Sequence, residues 1–424
     1  MNTIFALSSG TPPAAIAIVR ISGPSAGNAL QTLAGSLPAP RRASVRILRD
    51  GSGAILDRAL ALWFPGPNTA TGEDCTELHL HGGRAVIGAV SAALESMDGL
   101  RQAQPGEFTR RAFANGRIDL AEAEGLADLL TAETELQRQS AQSLASGALS
   151  TKVETWRAHV LRLSAMIEAT LDFSDEDDVA TVPSEVGVDA QALAMELTRW
   201  LDRPRAERLK DGFRVVLAGP PNAGKSSLFN AILEDEAAIT APTAGTTRDV
   251  LERSVAIEGV AFTFIDTAGL RPDVGGDVEA IGVERARQQI EKGDCVLWLG
   301  LEGEGPIDAL EIETKADLDA SYLKTDGTLR VSSVTGHNID TLKLALIDRA
   351  RKSLPKPGEI ALNARQSALL SDAKNCLTRL STTDDLLIIA EELRQTRVAF
   401  DALVGRSSTE HMLNVLFGQF CIGK

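Results

Sequence analysis

The stretch FRVVLAGPPNAGKSSLFNAIL, starting at Phe213, restricts the fold more than any other part of the chain. An apolar run (Val215, Val216, Leu217) leads into Gly219; Gly224, Lys225 and Ser226 follow, and then apolar residues at helical spacing. Glycines let the backbone turn so that successive N–H groups point into one concavity, and the start of the next helix adds its positive dipole end. The pattern predicts strand, loop and helix, with the loop cradling phosphate. Asn222, Ala223, Gly224, Lys225, Ser226 and Ser227 would surround the phosphates. Lys225 would reach the β- and γ-phosphates, and the Ser226 hydroxyl would ligate Mg²⁺.

Four later stretches come in the order that a guanine-nucleotide site requires. AGTTRD (244–249) offers the Thr246 and Thr247 hydroxyls, one of which would complete the Mg²⁺ shell. FTFIDTAGL (262–270) is a strand ending at Asp266, which would hold the metal through water; Thr267 and Ala268 lead to Gly269, whose N–H would meet the γ-phosphate. ETKADL (313–318) places Lys315 and Asp317 in a base-reading loop, the carboxylate accepting both N–H groups of the guanine edge. Ser332 and Ser333, in VSSVTG (331–336), would close over the base. In this order and spacing the stretches favour GTP over ATP.

Three departures stand out. Thr314 occupies the position where such a base-reading loop opens with Asn, so the amide tying that loop to the phosphate loop is lost and weaker nucleotide binding is expected. Between CVLWLG (295–300) and ALEIETKAD only LEGEGPIDA remains, too short for an ordinary crossover helix, which is expected to be missing or reduced to a turn. Leu270 stands where a water-orienting Gln would follow the DTAG run. Glu279, in RPDVGGDVEAIGVERA (271–286), could reach the γ-phosphate through a bridging water; a solvated acid at a helix start is the other reading.

At 424 residues two or three domains are expected. No apolar run is long enough to cross a bilayer, and the first residues do not read as a secretory signal. Cys75, Cys295, Cys376 and Cys421 are far apart with no C-x-x-C pair, which fits a reducing compartment and argues against zinc or a disulfide framework. A net charge of −15 disfavours a surface that grips a polyanion everywhere; RPRAERLKDGFR (203–214) is a candidate local basic patch, with a solvated helix face as the plainer reading.

The chain resembles the bacterial tRNA wobble-uridine modification GTPases of the MnmE/TrmE family. The carriers are AIVRISGPSA (16–25), TGEDCTELHLHGG (71–83), PGEFTRRAFANGRIDLAEAEGLADLLTAET (105–134), GPPNAGKSSLFN (219–230), AGTTRD, DTAGL and CIGK at 421–424. The resemblance implies a multidomain α/β and all-α architecture. An α/β tetrahydrofolate-binding-like and dimerisation domain would span 1–116, and a helical domain 117–209 plus 356–424. A Ras-like P-loop G domain, a parallel sheet flanked by helices, would be inserted at 210–355. The residues agree: Leu149, Val153, Trp156, Val160, Leu163, Ile167 and Leu171 form one helical seam, and helical patterning resumes after KSLPKPGEIAL, notably at 386–405.

The family's potassium-driven hydrolysis, in which paired G domains use K⁺ in place of an arginine, implies Asn222, Ala241, Thr243 and Thr246 as potassium ligands, with Ala241, Thr243, Ala244, Gly245, Thr246 and Thr247 lining the nucleotide. Pro242 replaces a small acidic or polar residue there. The resemblance also makes Glu279 the catalytic acid, beside Lys225. It implies a folate site of Arg20, Glu77, Arg117 and Lys424, with Arg117 where Lys is common; a carboxylate suits the pterin N–H groups and cations suit the glutamate tail. Cys421 lacks the setting of a prenylation site and would lie near the one-carbon group, reacting or packing.

The implied function is a cytoplasmic, homodimeric GTPase. With an FAD-dependent MnmG/GidA-type partner it would form a heterotetramer. It would modify C5 of uridine 34 in certain tRNAs, using 5-formyl- or 5,10-methylene-tetrahydrofolate and an amine donor, glycine or ammonium. The alternative is an RNA-binding GTPase switch in ribosome assembly, marked by a basic RNA-binding module that the sequence does not display. A membrane-transport GTPase would need transmembrane spans.

Overall fold

The central strands of the first sheet bury alternate residues, Ala17, Val19 and Ile21 on one and Leu78 and Leu80 on another, because successive side chains of a strand point to opposite faces. The computed structural model describes residues 2–172, 182–234, 237–238, 251–267, 284, 287–318, 324, 328–380, 382–407 and 410–423. The chain divides into two compact units, one of Met1–Ala127, Leu144–His159 and Arg397–Lys424, the other of Asp128–Ser143 and Val160–Thr396.

In the first unit, β1 (Thr3–Leu7), β2 (Ile16–Ser22), β3 (Ser44–Arg49), β4 (Ile55–Phe64), β5 (Cys75–His81) and β6 (Leu100–Gln102) form a sheet in the order β3-β4-β5-β2-β1-β6. All pairs are antiparallel except β1 with β6. One face buries Val19, Ile21, Leu78 and Leu80 against Leu30 and Leu33 of helix Ala26–Ala34 and Val90 and Leu94 of helix Arg84–Glu95. Each such side chain contributes about 1.5–3 kcal/mol on full burial. Residues of opposite parity, including Arg20, Glu77 and His79, therefore occupy the other face.

Helix Glu107–Ala114 starts from Gly106 at φ 67, and a Cβ there would collide with the Phe417 carbonyl. A left-handed backbone in such close contact requires glycine. The long seam folds as the helix Ala148–Asp172; Leu149, Val153, Trp156, Val160, Leu163 and Ile167 are fully or almost fully buried. The pattern at 386–405 is the helix Leu386–Leu403.

The second unit carries β7 (Phe213–Ala218), β8 (Ala237–Ala238), β9 (Leu251–Ile257), β10 (Val260–Asp266), β11 (Cys295–Trp298), β12 (Leu310–Glu313) and β13 (Leu329–Arg330). Their order is β13-β12-β11-β7-β10-β9-β8. The run β13 to β10 is parallel, and β9 and β8 add antiparallel strands at one edge. Helices Lys225–Leu233 and Ile339–Ser353 cover one face through Leu228, Ile232, Leu342 and Leu346, which join Val215, Leu217, Phe262 and Phe264.

Residues 299–309 contain no helix, as their number led us to expect; the chain from β11 to β12 is a set of turns. It is held around Trp298, whose Nε1 donates to Leu301 O at 2.8 Å, while Gly300 and Gly305 lie so close to the indole that a Cβ would clash. The candidate basic patch is charge-compensated: Arg203 pairs with Glu359, Arg208 with Asp294, Lys210 with Asp128 and Arg214 with Glu252.

Candidate functional site

The phosphate loop leaves β7 through Gly219 (φ 149), turns at Asn222 (φ 62) and enters the helix Lys225–Leu233 at Gly224 (φ 90). Lys225 is buried and folds back, its Nζ donating to Gly219 O (2.9 Å) and Pro220 O (2.8 Å). The strand β10 ends beside the loop. Ser226 Oγ donates to Asp266 Oδ2 at 2.6 Å, and Thr267 Oγ1 donates to Leu217 O at 2.7 Å. A hydroxyl and a carboxylate brought together at the mouth of a phosphate loop are the hard oxygen donors that Mg²⁺ takes. The residues present therefore fit that ion.

The base-reading loop is tied to the phosphate loop, contrary to the expectation from Thr314. Its Oγ1 donates to Ala223 O at 2.6 Å, so a hydroxyl makes the link that an amide was thought necessary for. Lys315, in the left-handed region at φ 61, adds a second link through Nζ to Asn222 O at 3.1 Å. Asp317 Oδ1 accepts from Ser332 Oγ at 2.5 Å, and that bond, with the Asp317 backbone N–H, holds the carboxyl below the usual range. The Ser332 hydroxyl also accepts from the backbone N–H groups of Val334 and Thr335, fixing the loop; Ser333 is half-buried beside it.

On one side of these loops lies a cavity of about 300 Å³ lined by Pro220, Asn222, Leu299, Leu301, Thr314 and Lys315. Lys324, which sequence reasoning missed, also reaches it; its Nζ is buried against Trp298 O (2.8 Å) and Glu311. Nothing in the local pattern marked Lys324, because its partners lie on β11 and β12, away from it in the sequence.

Among the residues expected to line nucleotide or metal, Asn222, Ala223, Gly224, Lys225, Ser226, Ser227, Asp266, Thr267, Lys315, Asp317, Ser332 and Ser333 are described. Ala241, Thr243, Ala244, Gly245, Thr246, Thr247, Ala268, Gly269 and Glu279 lie outside the described residues, as does Lys424.

In the first unit the pairing of β2 with β5 sets Arg20 directly opposite Glu77. Arg20 Nε and Nη2 both donate to Glu77 Oε1, at 3.0 and 2.9 Å, and the guanidinium lies 5.9 Å from the centre of the Phe108 ring. Arg117 is exposed, just beyond the helix Glu107–Ala114, its chain against Gly72. Gly423, preceding Lys424, accepts a hydrogen bond from Ser8 Oγ at 2.8 Å, and a Cβ on Gly423 would collide with Leu7 O. Residues 421–423 are therefore held at the end of β1; Cys421 is exposed there, while Cys75, Cys295 and Cys376 are buried free thiols. On this half-exposed sheet face the structure brings together Arg20 and Glu77, an acid and a cation that suit a ligand with N–H donors and carboxylates, while Arg117 lies beyond the helix Glu107–Ala114. His79, two residues beyond Glu77, shares this face and was overlooked, although strand alternation signals it.

Residues 3–117 match the family model described as GTP-binding protein TrmE N-terminus, and residues 120–421 match that of the MnmE helical domain. The chain is 60% identical over 424 residues to the tRNA modification GTPase MnmE of Erythrobacter litoralis, covering 100% of both. It is 58% identical over 435 residues to that of Novosphingobium aromaticivorans, again covering 100% of both. Among solved structures, the G domain of the T. maritima FeoB iron transporter aligns with 25% identity over 32% of this chain and 98% of that one, with a TM-score of 0.22.

Proposed function

The chain belongs to the MnmE family of tRNA modification GTPases, and from that premise we propose that it is a potassium-activated, folate-using enzyme of the tRNA wobble uridine. It is a GTP hydrolase that acts in tRNA modification. The finer reading is a cytoplasmic homodimer that joins an FAD-dependent MnmG/GidA-type partner and converts C5 of uridine 34 to the carboxymethylaminomethyl or aminomethyl form. Its domains would be 1–116, 117–209 plus 356–424, and 210–355.

The observation that carries the hydrolytic half is the convergence of Lys225, the Ser226–Asp266 pair and the Thr314 link on one phosphate loop. When nucleotide arrives, Lys225 exchanges two carbonyls for phosphate oxygens, and Asp317, already ionised, accepts the guanine N–H groups. Ser226 and Thr247 would hold Mg²⁺, which supplies positive charge to the β- and γ-phosphates. Asn222 is exposed in its left-handed turn, where its amide oxygen can face a monovalent cation shared with Ala241, Thr243 and Thr246. Glu279 orients the attacking water in place of the missing Gln.

On the first unit, Glu77 takes the ring N–H groups of the tetrahydrofolate, and Arg20, Arg117 and Lys424 supply positive charge for its carboxylates. The bound folate supplies the one-carbon unit. The test is GTP turnover in potassium against sodium, with and without the flavoprotein, together with nucleoside analysis of the tRNA. Turnover in potassium should exceed that in sodium by at least tenfold, and modified uridine should need both proteins and folate. Equal turnover in both salts removes the potassium role; modification without folate removes the folate role.

A further inference from the structure

The Arg20–Glu77 pair uses only one carboxylate oxygen. Arg20 holds Oε1 with two N–H groups, so Oε2 is left towards His79, whose Nε2 is 3.5 Å away, beyond ordinary hydrogen-bond reach. The His79 Nε2 atom is shielded from water and has no hydrogen-bond partner. A shielded polar atom without a partner is unfavourable, and that cost is removed when a ligand brings the missing partner.

The surroundings suit a flat ring. Strand register places Ile18 of β2 and Leu60 of β4 beside His79, and Leu62 of β4 beside Glu77, all on the same sheet face. The side chains of Glu77 and His79 are 21% and 27% exposed, open enough to be reached and dry enough for a hydrogen bond to discriminate. An acceptor (Glu77 Oε2) beside an imidazole nitrogen matches the edge of a cyclic amide, which offers an N–H next to a C=O.

We propose that His79 is a specificity residue of the folate site: with Glu77 it reads the amide edge of the pterin ring, Nε2–H donating to the ring carbonyl while Glu77 Oε2 accepts the ring N–H. This rests on the folate reading above. Arg20 then positions Glu77, and Ile18, Leu60 and Leu62 form the apolar floor.

The test is calorimetric titration of the full chain with 5-formyltetrahydrofolate and with p-aminobenzoylglutamate, which carries the tail without the pterin. Wild type is compared with His79→Gln, which retains a donor, and His79→Phe, which does not. His79→Phe should weaken the folate about tenfold, and His79→Gln should restore most of that loss. Neither should change the affinity for the tail compound. Equal loss for both compounds marks a structural effect and refutes the proposal, as does unchanged folate affinity in His79→Phe. Uracil carries the same edge, so uridine 5′-monophosphate is titrated too; a His79-dependent affinity for it and not for the folate refutes the pterin assignment. If wild type binds no folate, the folate reading itself fails, and that outcome is distinct from a His79-independent affinity.

Discussion

Replacing Thr314 by valine keeps the shape of the side chain and removes its hydroxyl. In the folded protein that hydroxyl donates to Ala223 O at 2.6 Å, in a half-buried position between the phosphate loop and the base-reading loop. A neutral hydrogen bond contributes about 0.5–1.5 kcal/mol net, and leaving a partly shielded carbonyl without its donor adds to the loss. The remaining link, from Lys315 Nζ to Asn222 O at 3.1 Å, is exposed and weaker. The two loops should then separate more readily at a cost of about 1–2 kcal/mol, which is roughly a 5- to 30-fold loss of guanine-nucleotide affinity. Most of the loss should be in the dissociation rate, since the encounter with nucleotide is unaltered. Stopped-flow release of a fluorescent GDP analogue measures this directly. The melting temperature of nucleotide-free protein controls for a general loss of stability. Release rates within twofold of wild type, with unchanged affinity, would show that Thr314 does not couple the loops.

Lys225→Ala should abolish GTP binding in an equilibrium titration; retained micromolar affinity would mean that the loop does not cradle phosphate. Glu279→Ala should leave affinity near wild type and lower single-turnover hydrolysis by orders of magnitude, whereas unchanged turnover removes Glu279 from the reaction. Gly106→Ala forces an L side chain into φ 67 against the Phe417 carbonyl, so the apparent Tm should drop by about 5–10 °C in a thermal scan. Burial would raise the Glu107 carboxyl, but Arg101, the Gln104 N–H and Arg111 together bring it down to about 2. Its contribution to stability is therefore complete above the unfolded value of about 4.3 and is lost as pH falls through about 2. The Tm difference between wild type and Glu107→Gln should narrow from pH 5 to pH 2; a difference that stays constant contradicts the ion-pair account.

What the sequence settled alone was local or ordered. Gly219, Gly224, Lys225 and Ser226 announce a phosphate loop because backbone conformation depends on the residues that adopt it. The seam from Leu149 to Ile167 announces a helix because burial follows a period of 3.6. The shortness of 299–309 excluded a crossover helix by length alone. Tertiary structure decided whatever depends on reach between distant segments. Whether Thr314 could replace an amide turned on how near the fold brings it to Ala223, and Lys324 found its partners only where the fold brings it to β11 and β12. Gly106 against Phe417 and Gly423 against Leu7 are contacts between the beginning and the end of the chain. No local pattern encodes them, because a pattern fixes which face a side chain occupies, while the sheet's register and the packing of remote segments fix what lies across from it.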